Sequence, residues 1–300
     1  MNANTTARVA PMPRLRRVCL HCARILIVLL LGGFCGATLT RLAPGFGMNE
    51  AELDSRLSAA SIAALRQENA PDQSLPAFYL QYWAGLLRGD LGMSQTLHEP
   101  VRQLLAERFP ETLKSVGLGL ALGWTAGLAL ALAAALARGG VTDLLAGLAA
   151  SVLLCMPAAV LALLFLLLQA PGRLVIGLIV FPNIFQFARN LLIQAAERPH
   201  VLTAHAKGLG SFAIVMRHIL PVAAPQLLAL AGVSISLAFA AAIPVEVLCD
   251  LPGIGQLAWK AAMGRDLALL VNLTMIVTLI TLLANSAADL AGRKQEAGAA

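Results

Sequence analysis

Apolar residues in this chain gather into runs too long for the core of a water-soluble domain. Crossing roughly 30 Å of hydrocarbon takes about 20 mainly apolar residues. Six stretches have that character: 18–39, 112–137, 143–168, 174–194, 222–245 and 267–290. The pattern predicts an all-α, polytopic membrane protein with six transmembrane helices. Around them lie an N-terminal tail (1–17), a long loop (40–111), a core domain (112–290) that includes a polar connection at 195–221, and a C-terminal tail (291–300). Basic residues precede the first apolar run, as in a signal peptide. No small-x-small cleavage site follows at the right distance, so the first helix is expected to remain.

Composition points the same way. Of 300 residues, 58% are hydrophobic and 13% charged, with a mean hydropathy of +0.77, whereas soluble domains carry about a quarter charged residues. The net charge of +6 comes without a basic patch interleaved with aromatics, so no nucleic-acid partner is expected. It reads instead as a topology signal. With the N-terminus inside, the cytoplasmic side and its margins hold Arg8, Arg14, Arg16, Arg17, Arg24, Arg138, Arg189, Arg198, Lys207, Arg217, Arg293 and Lys294. The short external loops hold only Arg173, Lys260 and Arg265. Both termini are therefore expected in the cytoplasm. The long external loop reads as short amphipathic helices, for example around 50–69, followed by Phe78, Tyr79, Tyr82 and Trp83, rings suited to the membrane interface.

Candidate chemistry is sparse. Cys19, Cys22, Cys35, Cys155 and Cys249 lie mostly in apolar stretches and read as small hydrophobes. No G-x-S-x-G or H-E-x-x-H motif appears, and His98, His200, His205 and His218 lack metal-ligand spacing, so neither an enzyme nor a metal site is expected. The polar connection 195–221 reads as a short helix opened by Pro199 and closed near Gly208, with Pro221 in the first turn of the next span. Gly119, Gly123 and Gly127 form a four-residue ladder, repeated by Gly32 and Gly36, which predicts close helix packing. Pro157, Pro182 and Pro244 are expected to kink their helices. Gln169, Asn183, Gln186, Asn190, Ser234, Ser236, Asn272 and Asn285 could face a path or bond between helices. Arg24, Asp143, Arg189 and Asp289 sit near predicted helix ends, where long side chains snorkel.

Three stretches carry a family resemblance. Thr203-Ala204-His205-Ala206-Lys207-Gly208-Leu209, followed by Arg217-His218-Ile219-Leu220-Pro221, resembles the coupling loop of bacterial ABC importer permeases of the peptide/nickel type. Leu87-Arg88-Gly89-Asp90-Leu91-Gly92-Met93-Ser94, with Pro100-Val101 and 107–113, resembles that family's approach to its second helix. Pro244-Val245-Glu246, then 251–257 and Arg265-Asp266, is similar to its external loop before the last helix. Position 202 is Leu where this group often has Arg. The resemblance implies a type I permease bundle in the inner membrane, forming half of a path for peptides, a related small solute or nickel. It implies an ATPase pair docking at Ala204, Lys207, Gly208 and Leu209, a second homologous permease, and a binding protein on the external side near Glu246, Pro252, Gly253, Gly255 and Asp266. The chain has no G-x-x-x-x-G-K-[ST] loop, so it is expected to bind no cofactor itself, with ATP hydrolysed by a partner. The alternative is a secondary transporter or channel working without ATP. Mid-span charges or inverted repeats would mark it, and neither is evident.

Overall fold

The computed structural model describes residues 14–42, 80, 82–86, 88–136 and 140–299. The expected amphipathic helices near 50–69, and Phe78 and Tyr79, lie outside the described residues. The described elements are α1 (Arg14–Leu42), α2 (Val101–Leu136), α3 (Val141–Cys155), α4 (Ala158–Leu167), α5 (Arg173–Ala196), α6 (Pro199–Ala206), α7 (Ser211–Ile214), a π-helical turn (Val215–Ile219), α8 (Leu220–Leu248), α9 (Ile254–Met263) and α10 (Leu267–Ala299). Among the described residues there is no strand, only one isolated bridge between Met93 and Pro100.

Four of these spans are long and apolar enough to cross a membrane: α2, α5, α10 and the near-continuous 211–248 helix. The pair α3 and α4 makes a fifth if it counts as one span. In α1 the apolar described stretch is Ile25–Gly36.

Several boundaries differ from the sequence pattern, each for a local reason. α2 starts at Val101, eleven residues before the expected edge, and runs through Pro110. Its first turns contain charges and so look like loop, yet Val101, Leu104 and Leu105 recur at helical spacing and are buried. The expected single span 143–168 is bent by 100° at Met156-Pro157. Pro157 stands immediately before α4, where it has no N–H to donate to the α3 ladder, so the chain breaks instead of kinking. Pro182 and Pro244 are carried inside continuous helices. The helix expected to begin at 222 is preceded by α7 and the π turn, in which Leu220 N–H reaches back five residues to the Val215 carbonyl. Pro221 supplies no N–H and crowds the preceding carbonyls, which accounts for the wider turn there.

The core forms where α2, α5 and α8 meet, around Val116, Ile176, Val180, Ile184, Phe185, Leu192 and Phe239. The glycine ladder is what lets α2 and α5 touch. A Cβ on Gly119 would lie 2.7 Å from Ile176 Cγ2, and one on Gly127 would lie 2.9 Å from Ile184 Cγ2. At the second pair, a Cβ on Gly36 would sit 3.4 Å from Thr274 Oγ1, seating α1 on α10.

Candidate functional site

Two ends of the bundle carry built features. At one end, α6 sits between α5 and α7. Pro199 occupies its first turn with Arg198 extended before it, a placement that wastes no backbone donor. Val201 and Ala204, three apart, are buried against the bundle, while Thr203, His205, Lys207 and Leu209 are exposed and Leu202 is 67% exposed. One face is pinned and the other is left open.

The C-terminus of α6 is locked. Gly208 has φ +74°, its N–H donates to His205 O at 2.9 Å, and Leu209 N–H donates to Ala204 O at 3.3 Å. This pair of bonds is a Schellman closure, which needs a left-handed residue that glycine adopts without strain. His205 Nδ1 lies 3.0 Å from Val201 O. The His200 and His218 rings are 6.3 Å apart, with His200 Nε2 3.4 Å from the His218 carbonyl. Arg217 is exposed on the π turn and Pro221 just beyond it. No metal-binding group of three occurs among the described residues.

At the opposite end, buried carboxylates organise the chain. Glu246, two residues before the end of α8, is 0% exposed. Thr112 Oγ1 donates to Glu246 Oε1 at 2.6 Å, and Gly255 N–H donates to Oε2 at 2.6 Å. Thr112 Oγ1 in turn accepts Ile254 N–H at 2.8 Å. Glu246 and Thr112 therefore satisfy the free donors of the α9 N-terminus, where a negative charge is favoured. Gly253 and Gly255 are buried, and a Cβ on either would run into the Glu246 carboxylate. Asp266, also 0% exposed, caps α10 through Leu269 N–H at 3.0 Å. It also accepts Ser94 Oγ at 2.5 Å and Thr96 N–H at 3.1 Å.

Of the residues expected to line the binding-protein side, Glu246, Gly253, Gly255 and Asp266 thus lie under the surface, and Pro252 is exposed on it. Glu246 belongs to the interior of a helix end, not to a solvated loop. Tyr82 was marked in the sequence only as an interface ring, and Leu91, Ser94 and Thr112 only as parts of the resembling stretches; their contacts had no sequence signal, because the partners lie far along the chain. Tyr82 Oη donates to Asn272 Oδ1 at 2.9 Å, and Asn272 Nδ2 donates to Leu91 O at 3.0 Å. Asn272 is therefore a buried joint. Asn285 Nδ2 donates to Ser236 Oγ at 3.2 Å, an interhelical bond, and Ser234 Oγ returns to Leu230 O at 2.7 Å. Gln169 is exposed at φ 54° in the tight link from α4 to α5. Arg189 does not snorkel; it pairs with Asp143. Gln186 and Asn190 border a cavity between α3 and α5.

The described residues thus combine apolar spans with a short helix pinned between two of them. The family of binding-protein-dependent transport system inner membrane components matches residues 127–298, and the chain belongs to it. It is a multi-pass inner membrane protein and a permease subunit of an ABC importer. A putative peptide permease protein of Brucella ovis is 28% identical over 83% of this chain and 84% of its own length. The oligopeptide transport system permease protein OppB of Escherichia coli K12 is 27% identical over 87% and 90%. Among solved structures, an inward-facing MetNI methionine ABC transporter chain superposes with a TM-score of 0.58 at 16% identity, covering 68% of this chain and 99% of that one. That superposition speaks for the fold.

Proposed function

We propose that this chain forms half of an ATP-driven import path for short peptides and is moved by a separate ATPase that grips α6. The observation that carries the reading is the geometry of α6: anchored through Val201 and Ala204, closed at Gly208, and exposed on its outer face. A stiff helix held between two spans passes a push from a closing ATPase dimer to α5 and α8 together. Thr203, Ala204, His205, Ala206, Lys207, Gly208 and Leu209 form the docking element, and Arg217 with Pro221 begin the span it levers. Both termini lie in the cytoplasm, as the Lys and Arg distribution favours. A second, homologous permease completes the path, and two ATPase subunits supply the work.

A binding protein delivers substrate at the α9 end, where it meets Pro252 directly while Glu246, Gly253, Gly255 and Asp266 hold the surface from beneath. Peptides are the substrate class because the relatives that align over most of the chain are named for peptides. No observation favours nickel.

The test uses the complete complex in proteoliposomes. Gly208→Val places a β-branched residue at φ +74°, a conformation that costs an L-residue about 1–2 kcal/mol, and so deforms the closure of α6. ATP-dependent tripeptide uptake should fall at least tenfold while the chain still inserts in the membrane. Unchanged uptake would show that docking lies elsewhere. Uptake by the purified chain alone, without ATP, would establish the secondary-transporter alternative.

A further inference from the structure

Helices α3 and α5 turn complementary polar stripes toward one cavity. On α3 the stripe is Asp143, Gly147 and Ser151, at four-residue spacing; on α5 it is Gln186, Arg189 and Asn190. Both spacings put their residues on one helix face. The cavity is an open groove of about 590 Å³, in volume alone within the range of about 300–1,000 Å³ of small-molecule sites. Its rim includes the exposed Leu144 and Leu148.

Arg189 stands seven residues before the end of α5, about 10 Å of helix rise, and meets Asp143 in the first turn of α3. Its Nε and Nη2 donate to the two Asp143 oxygens, the Nη2–Oδ2 bond measuring 2.6 Å. A charge on an apolar membrane helix is costly unless it faces a partner or an open polar pocket; this one faces both. The pair is not sealed, since the side chains of Arg189 and Asp143 retain 30% and 11% of their exposure. A solute in the cavity reaches the guanidinium directly. The other polar groups there are lightly committed: Ser151 Oγ donates to its own helix at Gly147 O, 2.8 Å away, and Asn190 Oδ1 sits 3.4 Å from Arg189 Nη1. Neither α6 nor the α9 end uses any of them.

We propose that this cavity is a transit site for the C-terminal carboxylate of a short peptide, with Arg189 as the residue that takes it. Asp143 holds the guanidinium fork between substrates, in the bidentate geometry that a carboxylate of the cargo reproduces. The incoming carboxylate replaces Asp143 on Arg189, and the released Asp143 carboxylate, in the first turn of α3, turns to the open mouth of the pocket. This inference rests on the peptide-import reading above.

The experiment uses the assembled complex with Ser151→Cys as the sole cysteine, in proteoliposomes that also report ATP-driven trialanine uptake. A thiol reagent should label Cys at 151 at least fivefold more slowly with trialanine present. Trialanine amide, which lacks the carboxylate, should leave the rate unchanged, and adding Asp143→Asn/Arg189→Gln, a neutral pair of similar volume, should abolish the protection. A purely structural ion pair predicts no dependence on the peptide's terminus. Equal protection by acid and amide, no protection at all, or an unreactive thiol in vesicles that do import trialanine overturns the site and leaves the peptide-import reading standing. Vesicles carrying the unsubstituted complex that hydrolyse ATP but import no peptide refute that reading, and the site with it.

Discussion

Glu246 shows how one side chain settles a whole region. Its carboxylate answers Thr112 from α2 and Gly255 from α9, so three elements converge on two oxygens. A buried donor left without its acceptor costs about 1–3 kcal/mol. Glu246→Leu strands the Thr112 hydroxyl and the Gly255 N–H together and should cost at least about 3 kcal/mol on that scale. Glu246→Gln keeps an acceptor in place and should cost less than half as much. Thermal unfolding in detergent checks the order; equal melting of the two variants would show that the carboxylate does not organise this end. Sequence reading placed Glu246 in a loop, just past a span expected to end at 245. Its burial was illegible because Thr112 is 134 residues away, and a hydroxyl in an apolar helix carries no sign of its partner. Asn272 eluded sequence reading similarly, since its partners Tyr82 and Leu91 lie at the far end of the chain.

At the level of elements, spacing read well wherever both partners were periodic. The Gly119, Gly123 and Gly127 ladder was visible as a pattern, and it is the seam between α2 and α5. Overfilling such a seam costs about 1–3 kcal/mol. Gly119→Leu should therefore destabilise the bundle by that amount, whereas Gly117→Ala, with nothing within 4 Å of its Cβ, should be neutral or mildly stabilising. Comparable loss from both substitutions in a detergent melt would contradict a close α2–α5 seam. Breaks were harder to read than contacts. Pro157 announced a disturbance, but not a turn of 100°, because the angle depends on what the following arm packs against. The early start of α2 was readable in Val101, Leu104 and Leu105, and was masked by the charged residues between them.

For the molecule as a whole, the proposed orientation rests on the charge pattern, and it can be tested without transport. A reporter active only outside the cytoplasm should work when fused after Leu65 and stay silent when fused after Gly210. The opposite result would invert the bundle and place α6 away from any ATPase. The class of fold was legible from hydropathy alone, since lipid demands long apolar helices with every backbone group satisfied internally. What hydropathy could not convey was the α3–α5 pair: Arg189 and Asp143 each looked like a helix-end charge, and only the folded arrangement brings them together.

Asp266 has one more consequence. It binds Ser94 and Thr96, about 170 residues earlier, and also opens the last helix. The hairpin before α2 therefore waits, during synthesis, for a residue the ribosome delivers near the end. Chains interrupted before that point leave Ser94 and the Thr96 N–H without their carboxylate, so the turn before α2 closes only when α10 joins the fold.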